Sequence, residues 1–159
     1  MNMFRAFQQL RSSDVFKERN RLLSKLQGRS AFTEEDINEV FAYRKLGYHS
    51  NSEAVKVTEK AFDAQELGDK LRLLKRLNGV GMMVASSILM FQSPYRYAEI
   101  NHKTWNYLRR NHGLAGSDKD HKSDFAVGEY QSYLEALSLL AGEFGMNVSE
   151  VEFVINSTG

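Results

Sequence analysis

The sequence predicts an all-α chain of several helices arranged around one central pair. Three observations carry this. Apolar residues recur at three-to-four spacing from end to end. No segment sustains the period-two alternation of a strand. A single proline occurs among 159 residues, so long stretches run without a breaker. The length fits one domain, 1–159, and 42% apolar content suffices for a packed core.

The first helix is short, over Met3–Leu10. The second carries Val15, Arg19, Leu22, Leu23 and Leu26 on one face and stops near Gly28. The third starts at an N-cap, Thr33, with Asp36 at N3 and Phe32 and Ile37 as a hydrophobic staple. Its face is Ile37, Val40, Phe41 and Arg44, and Gly47 is expected to end it. A polar loop, Tyr48-His49-Ser50-Asn51, leads to a fourth helix through Val55 and Phe62. The fifth is expected to be capped by Asp63 with Glu66 at N3, and Phe62 and Leu67 staple its entry. Leu71, Leu74 and Leu77 carry its apolar face.

Next comes Leu77-Asn78-Gly79-Val80-Gly81, followed at once by a helix over residues 82–91. Two glycines one residue apart let the backbone turn sharply and leave its amides bare. The new helix begins with unpaired N–H groups and the positive end of its dipole. This stretch reads either as a helix–helix turn that needs glycine or as an anion site suited to phosphate.

That helix breaks at Ser93-Pro94. After a loop through Tyr95 and Tyr97, Asn101 caps the next helix, with Ile100 and Trp105 at the staple positions. Gly113 and Gly116 end it and open a polar loop, residues 117–123. The longest periodic run is Tyr130, Tyr133, Leu134, Leu137, Leu140, Ala141 and Phe144, stopped by Gly145. A final helix is expected from Ser149, with Glu152 at N3 and Val148 and Phe153 as the staple.

The absence of cysteine excludes disulfides, thiolate metal sites, iron–sulfur clusters and cysteine nucleophiles. No apolar run approaches the ~20 residues of a membrane span. The first ten residues lack the apolar core of a signal peptide. A soluble, cytoplasmic protein is expected, nucleoid-associated if bacterial. Net charge is +1, but its distribution is uneven. Residues 69–113 carry 8 basic side chains against 2 acidic, and residues 114–159 carry 2 against 8. The basic block contains the glycine turn, with Lys70, Arg72, Lys75 and Arg76 before it and Arg96, Lys103, Arg109 and Arg110 after it. A locally basic segment around an anion-binding turn favours a polyanion.

A Leu-x-Gly-Val-Gly turn between two helices, followed about twenty residues later by Ile100-Asn101-His102-Lys103-Thr104-Trp105, resembles the core of the helix-hairpin-helix DNA glycosylases. The resemblance covers residues 74–108. Gly-Val-Gly-Met, Ala-Ser-x-Ile-Leu, Pro-x-Arg-Tyr and the tail over residues 130–155 resemble a group of small bacterial members. The first ~60 residues carry no matching motif. The resemblance implies a compact multi-helix, DNA-glycosylase-like domain that binds DNA, with a role in repair. Amides of Gly79, Gly81 and Val84 would contact a DNA phosphate. Carbonyls of Lys75, Leu77 and Val80 would hold a monovalent cation, and no other cofactor is required. Lys75, Arg76 and Lys103 would add charge along the strand. Such binding is largely independent of sequence and weakened by salt. Glycosylases stack a flipped base on aromatic and apolar side chains, which makes Tyr95, Tyr97 and Met83 candidates for base contact.

Two positions depart from the catalytic members. Where bifunctional enzymes place a nucleophilic Lys, this chain has Met83, whose thioether forms no Schiff base. Where they place the catalytic Asp, it has Asn101. Asn caps a helix as well as Asp does, but carries no charge to stabilise a cationic sugar. Glu99 and Lys103 are the remaining candidates for chemistry. His102 has no visible partner, and His112 and His121 lack a third ligand at fixed spacing. The sequence therefore leaves three readings: a glycosylase with altered catalytic positions, a non-catalytic helix-hairpin-helix DNA-binding module, and a protein-interaction module.

Overall fold

The computed structural model describes residues 2–158, so the terminal residues of the expected domain, Met1 and Gly159, lie outside the described residues. Nine helices and no strand are found among them: α1 (Met3–Leu10), α2 (Asp14–Leu26), α3 (Glu34–Tyr43), α4 (Ala54–Asp63), α5 (Leu67–Leu74), α6 (Met82–Gln92), α7 (His102–His112), α8 (Val127–Phe144) and α9 (Val148–Thr158). The all-α expectation is met in a compact domain. No helix among the described residues is long and apolar enough to cross a membrane.

The core is built around α6. Its sequence has no charged residue, and Met82 together with every residue from Val84 to Phe91 is buried. A helix apolar on all sides must be surrounded, and α2, α3 and α5 pack against it. Its two buried serines do not leave their hydroxyls bare. Ser86 Oγ donates to Met83 O at 2.6 Å and Ser87 Oγ lies 3.2 Å from the same carbonyl, which is the back-bonding that lets hydroxyls sit inside a helix bundle. α4 packs on α5, while α9 packs on α8, α1 and α7.

Several sequence expectations hold in detail. Thr33 and Asp36 form a capping box, with bonds of 3.1 and 2.8 Å. Asn101 Oδ1 accepts from Thr104 N at 3.0 Å. Gly113 and Gly145 end α7 and α8 in the left-handed conformation. Trp105 and Ile100 are buried, and the indole N–H donates to Ser117 O at 2.9 Å.

Others are corrected. On α2 the inward residue is Phe16, and Val15 faces solvent. The face that packs is Phe16, Arg19, Leu22 and Leu26. α3 stops at Tyr43, and Lys45 takes the left-handed position (φ 60) assigned above to Gly47. Asp63 is the last residue of α4, not the cap of α5, whose N-cap Glu66 makes no side-chain capping bond. The α4 end is instead closed from across the corner. Lys70 Nζ donates to Phe62 O at 2.9 Å and Ala61 O at 3.3 Å, the role a cation serves at a helix C-terminus. The cap of α9 lies two residues earlier than expected, at Asn147. Asn147 Oδ1 accepts from Glu150 N (2.9 Å) and Glu150 Oε1 accepts from Asn147 N (3.0 Å), so Ser149 and Glu152 are released from capping and turn inward.

Candidate nucleic-acid interface

α5, the 75–81 turn and α6 form the expected helix–turn–helix unit. The turn winds down through Lys75 N to Leu71 O, Arg76 N to Leu73 O and Leu77 N to Leu74 O, and Val80 N then donates to Leu77 O at 3.2 Å. Leu77 and Val80 are buried and anchor the turn. The two glycines do different things. Gly79 has φ +78, which L side chains rarely adopt, and a Cβ there would stand 2.7 Å from the His49 ring. Gly81 is the N-cap of α6 with ordinary extended backbone (φ −101). A Cβ at Gly81 would meet nothing within 4 Å. Gly79 is therefore required by conformation and contact, whereas Gly81 leaves the face of the turn open to an approaching group.

The amides of Gly79, Gly81, Met82, Met83 and Val84 form no hydrogen bond with the described chain. Those of Gly81 to Val84 are the orphan donors of a helix start, and no capping side chain serves them. Lys75 and Arg76 beside them are exposed and form no ion pair among the described residues.

The rest of the basic block is largely committed elsewhere. Lys70 is buried, and its pKa is lowered by that burial and by nearby Arg96. Arg72 pairs with Asp69 at 3.3 Å. Arg109 and Arg110 both hold Asp118, at 3.1 and 2.6 Å, and keep that carboxyl below its usual range. Arg96 lies 5.3 Å over the Tyr97 ring. Lys103 Nζ donates to Asn156 O at 2.6 Å. Lys75 and Arg76 thus keep their charge unpaired beside the turn, whereas Lys103 and Arg96, although no carboxylate pairs with them, are held by Asn156 O and the Tyr97 ring.

A loop without a recognisable motif holds the turn in place. Asn51 Oδ1 accepts from Asn78 N at 2.7 Å and Asn51 Nδ2 donates to Asn78 O at 3.3 Å. Asn78 Nδ2 donates to Ser50 O at 2.8 Å. Asn38 grips the backbone of His49 at both N and O, each at 2.9 Å, and the His49 ring lies 4.7 Å from that of Phe41. Sequence reading misses this clasp because its partners are 27 residues apart. An asparagine and a histidine in a polar loop, Asn51 and His49, give no pattern that marks them.

The base-contact candidates separate. Tyr95 is 70% exposed, but Tyr97 is 6% exposed and belongs to the core, and Met83 is partly buried against it. α6 spans about 16 Å at 1.5 Å per residue, and Tyr95 lies beyond the end opposite the turn. The three are not gathered at one place with the glycines.

Asn101 and Glu99 lie where α7 meets α9. Asn101 caps α7, and its Nδ2 donates to Asn156 Oδ1 at 3.3 Å. Glu99 points inward and is 7% exposed. Ser87 Oγ donates to its Oε1 at 2.6 Å, and Arg44 Nη1 stands 3.4 Å away while donating to Ser87 Oγ at 2.8 Å. The adjoining backbone is pinned by side chains of other helices. Tyr130 and Tyr133 donate to Ala98 O and Glu99 O at 2.7 and 2.6 Å, and Ile100 N donates to Ser86 Oγ at 3.0 Å. These bonds satisfy a buried loop that would otherwise strand its polar groups. They also make Glu99 a held interior carboxylate. No group of three or more His, Cys, Asp or Glu side chains suited to a metal occurs among the described residues. Leu77 O already accepts one bond within the turn. No family model, no curated protein and no solved structure matches the chain.

Proposed function

We propose that this chain binds the phosphate backbone of DNA through the Gly79–Gly81 turn, as a helix-hairpin-helix module. One observation carries the reading. Five amides at and after the turn have no acceptor in the described chain, and two unpaired cations, Lys75 and Arg76, stand beside them. Bare amides at a helix start with lysine and arginine alongside suit a phosphodiester, which offers two anionic oxygens and no sequence information.

Binding is the function we assign, rather than base excision. Asn101 carries no charge, Met83 no amine, and Glu99 is bound by Ser87 and Arg44 inside the core. The test is a fluorescence anisotropy titration of a labelled duplex at several salt concentrations, with the Gly81→Asp variant. That position has space for a side chain and ordinary backbone, so the variant should fold normally and place a carboxylate among the amides. Loss of binding with an unchanged unfolding midpoint is the expected result. Unchanged affinity would sink the proposal. Cleavage of any duplex in a panel of damaged and modified substrates would overturn the restriction to binding.

A further inference from the structure

Glu152 is the most anomalous side chain in the molecule. It sits in the middle of α9, 3% exposed, and its Oε1 is buried without any hydrogen-bond partner. No Lys or Arg nitrogen lies within 4.0 Å of it among the described residues. Buried carboxylates without a partner are costly and call for an explanation.

Its neighbours are contributed by several elements. From the loop before α7 comes Glu99, whose charge opposes a second negative charge. From α2 comes Arg19, committed to Ser149 Oγ at 2.8 Å and lying 5.3 Å over Phe153. Arg44, at the end of α3, is engaged with Glu99 and Ser87. Tyr43 of α3 and Tyr133 and Tyr130 of α8 complete the surround, and their hydroxyls are held neutral by burial. α1 brings buried Met3, and its one charged residue, Arg5, is exposed. Arg44 is shared with a carboxylate, Glu99, and Arg19 donates to a neutral hydroxyl; both positive charges favour ionised Glu152, but burial and the Glu99 charge outweigh them. One turn further along α9, Asn156 holds Asn101 and Lys103.

We propose that α9 is a proton-gated helix whose docking ties Asn156 to Asn101 and Lys103, docked while Glu152 is a neutral acid and released when it ionises. Burial and the Glu99 charge both push the Glu152 carboxyl well above its usual range. The sign follows from linkage. A raised value in the docked state makes docking strongest below the ordinary carboxylate range, and that advantage drains as pH climbs toward the raised value. Over that window the opening equilibrium grows about tenfold per pH unit, because the open form releases a proton that the docked form keeps. Release would break the bonds from Asn101 Nδ2 and Lys103 Nζ to Asn156 and admit water to Glu99. The proposal stands independently of DNA binding.

Amide hydrogen exchange on the whole chain tests it, with rates divided by the intrinsic rate at each pH. The α9 amides should lose protection about tenfold per pH unit once pH rises above the ordinary carboxylate range, until it reaches the raised value of Glu152, while α4 and α6 keep theirs. In Glu152→Gln, whose amide cannot ionise, the α9 protection should become independent of pH. Flat α9 protection in the wild-type chain overturns the proposal. So does a loss shared equally by all helices, or a slope that survives in Glu152→Gln. The wild-type measurement decides even if that variant fails to fold.

Discussion

Asn51 and Asn78 form a two-way clasp: the Asn51 side chain accepts from the Asn78 amide at 2.7 Å and donates to the Asn78 carbonyl at 3.3 Å. The contact ties the α3–α4 loop to the α5–α6 turn. Asn51 is itself buried, and its amide donates to Glu34 Oε1 at 2.6 Å. The turn is therefore positioned by the first third of the chain, the part with no recognisable motif. Asn51→Ala should lower stability by about 0.5–1.5 kcal/mol, since it removes two part-buried hydrogen bonds to the Asn78 backbone. Urea unfolding reads this directly. On the binding proposal, duplex affinity should also fall, and a variant that lost stability but kept full affinity would show that the clasp does not position the site.

Gly79→Ala should separate conformation from ligand contact. The left-handed backbone costs an alanine about 1–2 kcal/mol, and its Cβ must displace the His49 ring. Thermal unfolding should show a lower midpoint, with His49 resonances shifted in an NMR spectrum. An unchanged midpoint would mean that the turn relaxes more easily than its φ suggests.

Lys75→Ala and Arg76→Ala bear on electrostatics. Neither side chain forms an ion pair among the described residues, so both variants should keep wild-type stability within about 0.5 kcal/mol. Each should reduce the slope of log affinity against log salt by about one if it contacts a phosphate. Arg110→Ala is the control, because Arg110 is bound to Asp118 at 2.6 Å and is not one of the side chains beside the turn. An equal slope change in the control would argue for a diffuse field rather than a site at the turn.

Tyr133→Phe tests the pinned loop. Its hydroxyl donates to Glu99 O at 2.6 Å in a fully buried setting. Removing it strands that carbonyl, at a cost of about 1–3 kcal/mol in chemical denaturation. A neutral result would imply that water replaces the hydroxyl, and hence that Glu99 is more accessible than its burial indicates.

Much of this architecture could be read from the chain because its signals are local. Thr33 with Asp36, Asn101 ahead of α7, and the glycines after α7 and α8 act within one turn of the helices they bound, and all hold. The errors arise where two local readings compete. Val15 and Phe16 are adjacent and both apolar, and only packing against Phe153 and Phe7 (5.8 and 5.4 Å between ring centres) selects Phe16. Ser149-x-x-Glu152 and Asn147-x-x-Glu150 both fit a capping box. The second wins, which turns Ser149 toward Arg19, 130 residues away. The interior charge cluster was illegible for the same reason, since its members come from α2, α3, the loop before α7, and α9. The turn's glycines were visible in the sequence, but their division of labour was not, because it depends on His49.

Trp105 is the one tryptophan in the chain. It is buried, its N–H is bound to Ser117 O, Phe125 packs edge-on at 5.6 Å, and Gly116 lies so close that a Cβ there would stand 3.0 Å from the ring. The molecule consequently carries its own optical reporter. Emission from this indole should be blue-shifted in the folded state and should move to longer wavelength when the segment from Gly116 to Phe125 peels away from α7. Fluorescence therefore reads one identified corner of the fold, and its agreement with circular dichroism, which averages over all the helices, measures how far the domain unfolds as one unit.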